Sequence, residues 1–582
     1  MTSEALRGAP QFPSIANAVE ASSRAAMDEA LSTLSAHKHE WVQVTLSQRI
    51  TILDRLIRDF SAIAPRWVAA CLAAKGLAAD SPFAGEEWMA GTWPIVKNLR
   101  LLRRSLLDIK TYGQPRIPGR VRTLENGQVA ASIFPETVYD RIFLTGVSAE
   151  IWMEPGVTAE TLSQTQAVIY QNKQHPGKVA LVLGAGNVAS IGPMDILYKL
   201  FVEDQVVIYK SNPVNAYLGP LIEESFRALI EPGYLHLTYG GAEEGAYLCN
   251  HPEVEEIHIT GSDKTFDAIV FGTGSEGVER KARKQPLLNK RITGELGNVS
   301  PVIVVPGPWK DGDLDYQAEH IVTMLTNNAG FNCNATRVVI QHGGWSQREP
   351  LLRRMRNTLS RIPARKAYYP GAQKRYQAFV EEHPDAERFG SPAGDQLPWT
   401  LISGVDARND SDICFTTEAF CGLFAETSLA ADSTLEYIER AVDFCNNHLW
   451  GSLNATIIVH PRSLKDPAVA AAVERAVADL RYGSVGVNYW AGASFVMTLT
   501  TWGAFPGHPI HDIQSGVGVV HNTLMFSRPQ KSVIRASFRS IPKPPWFVLQ
   551  GQKANKVFPK LVEFEAHPSP LRVPEIVWHA VK

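Results

Sequence analysis

The sequence is short of cysteine, of long apolar runs and of charge of one sign. Its six cysteines are too few for a disulfide scaffold, and none of them forms a CxxC pair or a Cys/His spacing that suits zinc. Its apolar stretches fall well short of the ~18 residues that a membrane-spanning helix needs, and the N-terminal "MTSEALRGAPQFPS" has no apolar signal-peptide core. We therefore expect a cytoplasmic protein with no bound metal and no membrane association.

The charge of the chain is nearly balanced. Lys plus Arg number 57 against 59 Asp plus Glu, so the net charge of −2 gives no general attraction to nucleic acid. The densest basic stretch, "GVERKARKQPLLNKR" (277–291), has no interleaved aromatic side chains on which bases could stack, and we interpret it as a solvated helix face. With 45% hydrophobic residues over 582 positions, the composition indicates a globular protein of several domains and no nucleic-acid partner.

The N-terminal quarter changes from a helical to a strand pattern. Residues 17–75 place apolar side chains at helical spacing, broken only at the polar "SAHKHE" and at Pro65, which predicts about three amphipathic helices. From 111 to 154 short β-branched and aromatic runs surround Asn126-Gly127, the strongest short hairpin signal. The pattern predicts a protruding hairpin or β-arm.

Two series of strands rich in Val, Ile and Leu alternate with helical segments. The first runs from "KVALVLGAG" to "VEEIHIT", and the second begins at "SPVIVV" (300–305) and continues through "LNATIIVH". Such strands separated by helices are typical of a parallel sheet covered on both faces. We predict an α/β fold with a Rossmann-type cofactor domain and a second α/β domain. The last forty residues or so are Pro-rich, and we expect an extended tail on the surface.

The first strand of the Rossmann-type series ends in a glycine turn. In "VALVLGAGNVAS" (179–190), Gly184 and Gly186 have the spacing of a dinucleotide-binding turn, although an ordinary strand-to-helix turn without a ligand has the same pattern. The next strand, "QVVIYK", ends in Lys210 where that motif expects an acidic residue for the ribose hydroxyls. A lysine donates hydrogen bonds instead and tolerates a 2′-phosphate.

Three further stretches have two readings each. Gly261 and Ser262 lead from a strand into a helix, whose free N–H groups suit a phosphate or simply a serine cap. Glu295 lies among small residues in a predicted loop before a strand. It is either a desolvated general base or an ordinary solvated glutamate. Cys333 in "NNAGFNCNATRVV" is a small buried hydrophobe or a reactive thiol.

The order of these stretches decides between the readings. A glycine turn with Asn187, then "VIYKSNP", "TGS", "ELG", a cysteine 38 residues after Glu295, "TEAF" and "SGVG" resembles the aldehyde dehydrogenase superfamily over roughly residues 25–535. The resemblance implies that Cys333 is the catalytic thiol and Glu295 the general base. It also implies that Asn187, with the backbone N–H of Cys333, holds the developing oxyanion.

The resemblance also implies a cofactor, NAD or NADP. Lys210 matches the lysine on the adenosine ribose, and Ser262, beside Gly261, matches the pyrophosphate serine. In "TEAF", Glu418 and Phe420 match the pair that holds the nicotinamide ribose and ring. The remaining cofactor-binding position that we predict is a glycine of the turn after the first strand, Gly186.

Four positions depart from the superfamily pattern. Phe266 occupies a position that usually holds glycine, and Pro213 one where NAD-preferring members often have glutamate, so nothing acidic excludes NADP. Arg337 follows the cysteine by four residues instead of five, and Asn298 replaces a second glycine after Glu295. The chain therefore resembles a divergent member.

The resemblance implies oxidation of an aldehyde to a carboxylic acid through a cysteine thiohemiacetal and thioester. An acyl-CoA reductase, in which CoA replaces water, and a catalytically silent scaffold are the alternatives; the presence of Glu295 favours hydrolysis. The aromatic stretch "NYWAGASFVMTLTTWGAF" (488–505) indicates an apolar or aromatic aldehyde or, equally, plain core. The partners implied are this small substrate and further copies of the chain in a homodimer or homotetramer.

The same resemblance divides the chain into four parts. They are a dinucleotide-binding domain of residues 1–110, 156–296 and 480–515, a catalytic domain of 297–479, an oligomerisation arm of 111–155 and 516–540, and a Pro-rich C-terminal extension of 541–582.

Overall fold

The computed structural model describes residues 19–172 and 174–582, so the N-terminal stretch in which we expect no signal peptide lies outside the described residues. Two long helices come first, α1 (Arg24–Gln43) and α2 (Leu46–Ala74). The expectation of about three helices is wrong, because "SAHKHE" lies inside α1 and Pro65 lies inside α2. A proline inside a helix costs roughly 3 kcal/mol, and the buried apolar face that runs the length of α2 offsets that cost.

A π-helical turn interrupts the next helical run. The short helix α3 (Ala84–Glu86) continues through the π turn (Glu87–Thr92) into α4 (Trp93–Tyr112). A π turn widens the helix by one residue, which redirects the side chains around it and is frequent at functional sites. Glu86 and Glu87 stand at the start of this turn, and both bind groups on other elements.

The predicted hairpin at Asn126-Gly127 is confirmed. Its strands β1 (Val121–Thr123) and β2 (Val129–Phe134) pair antiparallel, and Gly127 has a left-handed φ of 83°. The following "DRIF" is helical instead of extended, because Thr137 and Asp140 form a capping box that starts α5 (Val138–Phe143). Strand β3 (Ser148–Met153) and the short helix α6 (Val168–Gln171) complete this part.

A six-stranded sheet with helices on both faces forms the Rossmann-type part and confirms the predicted α/β class. Its elements up to residue 295 are β4 (Val179–Leu183), α7 (Ile191–Phe201), β5 (Val206–Lys210), α8 (Gly219–Ser225), α9 (Arg227–Ile230), β6 (Leu235–Thr238), α10 (Ala242–Asn250), β7 (Glu256–Thr260), α11 (Asp263–Phe271), α12 (Gly274–Ala282) and β8 (Arg291–Glu295). The strands β6-β5-β4-β7-β8 are parallel, and the order reverses at β4, so ligands are expected at the carboxyl ends of β4 and its neighbours.

The second α/β part forms most of an eleven-stranded sheet. Its elements are β9 (Ser300–Val304), α13 (Asp311–Thr326), β10 (Thr336–His342), α14 (Arg348–Leu359), β11 (Arg365–Lys366), α15 (Ala372–Glu382), β12 (Glu387–Phe389), β13 (Gln396–Leu397), β14 (Trp399–Val405), α16 (Ile413–Thr416), β15 (Leu423–Leu429), α17 (Thr434–Asn447), β16 (Asn454–Ile458), α18 (Pro467–Asp479) and β17 (Ser484–Val487). The central strands are buried on both faces, which is why each contains an uninterrupted apolar run, such as "VVI" in β10.

The chain then returns to both sheets. The elements of this return are α19 (Ala493–Met497), β18 (Trp502–Gly503), β19 (Gly516–Val517), β20 (Val519–Val520) and β21 (Pro529–Arg535). β19 pairs with β8, whereas β21 pairs with both β3 and β17. The strands β1 to β3 therefore extend the eleven-stranded sheet of their own chain, in the order β1-β2-β3-β21-β17. The range 480–515, which we predicted to belong to the dinucleotide-binding domain, does not lie wholly in that domain, because β17 is a strand of the eleven-stranded sheet.

The C-terminal extension is helical, so the expectation of an extended tail is wrong. It contains α20 (Gly551–Ala566) and α21 (Val573–Val581). Apolar residues at helical spacing, among them Val557, Phe558 and Leu561, bury one face of α20 despite Pro559 inside the helix. This face packs on α3 and α4. The proline content suggested an extended tail, but the helical spacing of the apolar residues was the stronger signal. None of the helices in the described part of the chain has the length and apolarity needed to cross a bilayer.

Candidate active site

The glycine turn after β4 is held by contacts within the protein. A Cβ on Gly184 would lie 2.4 Å from the hydroxyl of Tyr209, and a Cβ on Gly186 would lie 2.7 Å from Oδ1 of Asn212. Packing alone therefore restricts both positions to glycine. The turn lies at the carboxyl ends of the parallel strands, where open α/β sheets bind their ligands.

Asn187, the next residue, contacts the cysteine loop, which we define as residues 327–335. Its Nδ2 donates to the carbonyl oxygen of Phe331 over 2.9 Å. Its own carbonyl oxygen accepts hydrogen bonds from Nδ2 of Asn328 and from the hydroxyl of Tyr368, each over 2.9 Å. Because an amide group carries two N–H donors, the second donor of Asn187 is available to a substrate oxygen at the loop.

Cys333 is the half-buried member of the six free cysteines, and the other five are buried. It packs against an apolar cluster that includes Ile191, Phe495 and Trp502. Burial raises the pKa of the Cys333 thiol well above its usual value, and the negative charges of Glu295 and Glu418 raise it further. The thiol therefore needs a proton acceptor before it can act as a nucleophile.

Glu295 is the last residue of β8, not a loop residue as expected, and only 3% of it is exposed. Its carboxyl group lies beside the thiol of Cys333 and near the indole of Trp502. Burial raises the pKa of Glu295 to about 8, and the charge of Asp195 contributes to the increase. Its Oε1 has no hydrogen-bond partner among the described residues. A buried carboxyl group with this pKa, placed against a thiol, has the properties of a general base.

Polar side chains continue behind Glu295 along one face of the six-stranded sheet. Strand pairing sets Thr260 beside Glu295, and alternation along the strands brings His258 and Thr293 to the same face. Asp195 of α7 accepts a hydrogen bond from Thr260 over 3.0 Å and lies 3.5 Å from Nε2 of His258. Sequence reasoning missed Asp195 and His258. The available signal was a histidine inside the buried strand "EIHIT".

Arg337 hydrogen-bonds backbone carbonyl groups of two separate segments. Its Nη2 donates to the carbonyl of Gly330 over 2.7 Å, and its Nη1 donates to the carbonyl of Cys421 over 2.7 Å. Gly330 has a φ of 81°, and a Cβ there would lie 2.5 Å from the carbonyl of Cys421, so the position requires glycine. The arginine therefore joins the cysteine loop to the segment after "TEAF".

Three of the predicted cofactor residues lie at the carboxyl ends of β5 and β7. Lys210 ends β5, and burial lowers the pKa of its ammonium group to about 8. Gly261 and Ser262 are exposed, and the Ser262 hydroxyl caps α11 by accepting the N–H of Thr265 over 3.1 Å. The N-terminus of α11 therefore has both the serine cap and the N–H groups that suit a phosphate.

Glu418 and Phe420 lie beside the cysteine loop. Burial raises the pKa of Glu418 to about 7, although Arg337 and the backbone N–H of Asn298 lower it. Its Oε1 has no partner within the described residues. The Phe420 ring lies 6.0 Å from that of Phe331. A desolvated ammonium at Lys210 and an unpartnered carboxylate oxygen at Glu418 fit the hydroxyl groups of two riboses, so the residues present suit a dinucleotide.

Within the described residues, one group of side chains has the composition of a metal site, namely His383, Asp412 and Cys414. The Oδ1 atom of Asp412 already accepts the N–H of Cys414 over 2.9 Å and lies 3.1 Å from Nε2 of His383. Asp412 thereby caps the short helix α16. These contacts give the cluster a structural role, and we assign no metal to it.

Solved structures share this fold. The chain superimposes on glyceraldehyde-3-phosphate dehydrogenase of Methanocaldococcus jannaschii, complexed with NADP, with a TM-score of 0.59 and 14% identity, covering 90% of this chain and 97% of that one. It superimposes on a variant of aldehyde dehydrogenase C of Pseudomonas syringae, complexed with NAD+ and octanal, with a TM-score of 0.60 and 16% identity, covering 92% and 98%. At these identities the likeness establishes the fold.

The sequence match is shorter. Residues 200–373, which contain Lys210, Glu295 and Cys333, match the aldehyde dehydrogenase family. This segment therefore resembles the aldehyde dehydrogenase family. The chain is 29% identical over 136 residues to 4-trimethylaminobutyraldehyde dehydrogenase of Oryzias latipes, which is 23% of this chain and 24% of that protein. It is 33% identical over 128 residues to an aldehyde dehydrogenase of Enchytraeus buchholzi, 22% of each chain. These matched segments span about a quarter of the curated relatives.

Two departures from the superfamily pattern have structural explanations. Phe266, where the superfamily usually has glycine, is fully buried inside α11, so its ring packs in the core while Ser262 stays exposed. Asn298, in place of a second glycine, donates from Nδ2 to Ser300 Oγ and to the carbonyl of Asn454, each over 3.0 Å. It thereby joins the start of β9 to β16. Both residues serve packing.

Proposed function

We propose that this protein oxidises an aldehyde to a carboxylic acid, with hydride transfer to NAD or NADP, through a thiohemiacetal and a thioester on Cys333. The observation that carries the proposal is the position of the buried carboxyl group of Glu295 beside the thiol of Cys333. The oxyanion donor Asn187 contacts the same loop through Phe331. The match of residues 200–373 to the aldehyde dehydrogenase family supports this chemistry.

Attack begins with a proton transfer. The ionised fraction of Glu295 takes the proton of the Cys333 thiol, and the sulfur forms a bond to the aldehyde carbon. The carbonyl oxygen becomes an oxyanion, which accepts hydrogen bonds from the free N–H of the Asn187 amide and from the backbone N–H of Cys333. Loss of one such donor elsewhere raises a barrier by about 3 to 4 kcal/mol. This step requires the cysteine loop to be held close to Asn187.

The chain offers residues for the cofactor at three places. Lys210 is proposed for the adenosine ribose, Gly186 with Gly261 and Ser262 for the pyrophosphate, and Glu418 with Phe420 for the nicotinamide ribose and ring. A nicotinamide held at Glu418 and Phe420 would supply the hydride acceptor for the oxidation. The structures complexed with NADP and with NAD+ support a cofactor of this class.

Release of the acid is assigned to Glu295. With a thioester on Cys333, the Glu295 carboxylate accepts a proton from water while the water oxygen attacks the acyl carbon. The carbon–sulfur bond breaks, the acid leaves, and Glu295 returns the proton taken from water to the thiolate. The proton that Glu295 took from the thiol in the first step passes to solvent before the water attacks, so one proton is released per turnover. Because burial sets the pKa of Glu295 to about 8, we expect this step to accelerate from pH 6 to pH 8.

We propose an apolar aldehyde as the substrate. Phe495 and Trp502, from the aromatic stretch of 488–505, belong to the apolar cluster that packs against Cys333, together with Val188 and Tyr198. The rest of the stretch is structural, since Trp490 and Met497 lie in other core clusters. A panel of aliphatic, aromatic and charged aldehydes tested with both cofactors would examine the proposal, and a preference for charged aldehydes would contradict it.

Two alternative functions are tested by the same assay. An acyl-CoA reductase would need CoA for turnover, so we expect NADH or NADPH formation from aldehyde without CoA, and a strict CoA requirement would overturn the hydrolytic proposal. A silent scaffold would bind no dinucleotide, so calorimetric titration with NAD+ and NADP+ separates it. The buried contact between Glu295 and Cys333 favours the active enzyme over both.

The predicted homodimer or homotetramer, the cytoplasmic location and the absence of a nucleic-acid partner stay predictions. The arm strand β21 pairs with β17 of the same chain. Light scattering after size-exclusion chromatography would determine the number of subunits.

A further inference from the structure

A buried lysine from the N-terminal helices contacts the cysteine loop. Lys75, directly after α2, donates from Nζ to Oε1 of Glu87 over 2.6 Å and to Oδ1 of Asn328 over 2.8 Å. The Lys75 and Glu87 side chains are only 7% and 4% exposed. An ion pair buried this deeply adds little stability, because desolvation cancels most of the Coulomb attraction. Stability therefore does not account for the pair.

The preceding glutamate binds the same loop residue. Oε2 of Glu86 accepts the backbone N–H of Asn328 over 3.0 Å and pairs with Arg365 over 2.7 Å. Consecutive side chains on an α-helix diverge by about 100°. The π turn that begins at Glu87 alters this geometry. As a result two neighbouring carboxylates act on Asn328, Glu86 directly and Glu87 through Lys75.

Asn328 connects this corner to the oxyanion site. It has a left-handed φ of 51°, which is unusual for a residue with a Cβ. Its Nδ2 lies 2.9 Å from the carbonyl oxygen of Asn187 and 3.3 Å from that of Phe331. The Tyr368 hydroxyl lies 2.9 Å from both Oδ1 of Asn328 and the carbonyl oxygen of Asn187. Asn328 thus holds together the two segments that supply the oxyanion donors.

The C-terminal extension secures the start of the π turn. Oδ1 of Asn555 in α20 accepts the N–H of Gly85 over 2.6 Å, and its Nδ2 donates to the carbonyl of Ser81 over 2.8 Å. A Cβ on Gly85 would lie 2.5 Å from Cβ of Ala554, so α20 packs directly on the backbone beside Glu86. The extension therefore supports the segment from which the glutamates extend.

We propose that Lys75 and Glu87 are positioning residues for the proposed aldehyde oxidation. Through Asn328 they hold the amide of Asn187 and the backbone N–H of Cys333 at the separation that the oxyanion needs. Neither residue touches the reacting atoms. The inference rests on the proposed function, and it adds a contribution from the N-terminal helices to a site built from the two α/β parts.

The test is the double variant Lys75→Met with Glu87→Gln, which removes both charges and leaves neither uncompensated. Because small displacements of a catalytic geometry cost on the order of 10²-fold, we expect kcat to fall by about that factor. The Kd for the cofactor is expected to stay within about twofold, because the cofactor residues are not in the network. An unchanged kcat in the folded variant would overturn the proposal.

The second readout is alkylation of Cys333 by iodoacetamide, followed peptide by peptide by mass spectrometry. A loosened cysteine loop exposes its thiol, so we expect faster alkylation at Cys333 and no change at the buried Cys421 and Cys445. Uniform acceleration at all three, or none at Cys333, would contradict positioning. This readout needs no aldehyde. It therefore decides the inference even if the wild-type protein oxidises none, which would instead refute the proposed function.

The matched control is Arg49→Met with Asp204→Asn. Arg49 is buried at the opposite end of α2 and pairs with Asp204 over 2.5 Å, with side chains 2% and 5% exposed. We expect a comparable change in Tm with kcat and Cys333 alkylation near wild type. If the Lys75 double variant does not fold, Tyr368→Phe removes a single hydroxyl of the network. It is expected to lower kcat and accelerate Cys333 alkylation in the same sense, and wild-type values for both would reject the inference.

Discussion

The carboxyl group of Glu295 lies beside the thiol of Cys333 although 38 residues separate them in sequence. The strand β8 ends at the glutamate, and the cysteine loop returns to it after β9 and α13. Both groups are desolvated, so both protons are held tightly at neutral pH. The proposed chemistry begins with the exchange of one proton between them.

Removal of the thiol should abolish aldehyde oxidation and leave cofactor binding nearly unchanged. In Cys333→Ala we expect aldehyde oxidation to fall to the background rate, because the thiol beside Glu295 is removed. The Kd for NAD+ or NADP+ should change by less than about threefold, measured by calorimetry. Cys421→Ala, a buried cysteine that follows "TEAF", is the control and should retain activity. Substantial turnover by Cys333→Ala would end the thiohemiacetal mechanism.

Glu295→Gln should stop the reaction after one turnover. Glutamine cannot accept a proton from water, so the thioester would accumulate on Cys333 while reduced cofactor forms once per site. We expect a burst that matches the site concentration, followed by a steady-state rate lowered by about 10² or more. Stopped-flow absorbance and intact-protein mass should report both. A steady-state rate equal to that of the wild type would remove Glu295 from the mechanism.

The same variant should change how stability depends on pH. Burial raises the pKa of Glu295 from its ordinary value of 4.5 to about 8, so the folded protein holds this proton more tightly than the unfolded chain. Stability is therefore lost as pH rises between these two values. Glutamine has no proton to lose. We expect Glu295→Gln to match the wild-type Tm at pH 5 and exceed it at pH 9. Equal Tm values at pH 9 would refute the raised pKa.

Asp195→Asn should shift the midpoint of the pH dependence of kcat to lower pH. The negative charge of Asp195 raises the pKa of Glu295, so its removal is expected to shift the midpoint to lower pH. Thr260→Val removes a hydrogen bond to Asp195 without removing its charge, and it should shift the midpoint less. An unchanged midpoint in Asp195→Asn would show that the profile reports another group.

Cofactor affinity should weaken above pH 8. Burial lowers the pKa of Lys210 to about 8, so its ammonium group loses its charge as pH rises through that value. We expect the Kd for the dinucleotide to increase from pH 7 to pH 9 in the wild type. Lys210→Arg keeps its charge at pH 9, and its Kd should not increase. A pH-independent wild-type Kd would place the ribose contact elsewhere.

The sequence was sufficient for the elements that have one strong local signal. The strands of both α/β series and the Asn126-Gly127 turn could be predicted, because β-branched runs and a left-handed glycine have few alternatives. The proximity of Glu295 and Cys333 could be predicted only from their order along the chain. Their geometry depends on strand pairing.

Other features could not be predicted, because their partners are distant in sequence. Lys75 meets Asn328 across 253 positions, and Gly85 meets Asn555 across 470. Asp195 and His258 lie close because α7 packs on the sheet that contains β7. Proline was misleading for the helices, since Pro65 and Pro559 both lie inside amphipathic helices whose packing outweighs the lost hydrogen bond.

β21 pairs with both β3 and β17, so the arm strands belong to the eleven-stranded sheet of their own chain. Every group proposed for the reaction then comes from one polypeptide, whatever the number of subunits. Specific activity should consequently stay constant on dilution, and a mixture of Cys333→Ala with wild-type chains should lose activity in direct proportion to the fraction of variant. The protein would behave kinetically as a set of independent sites.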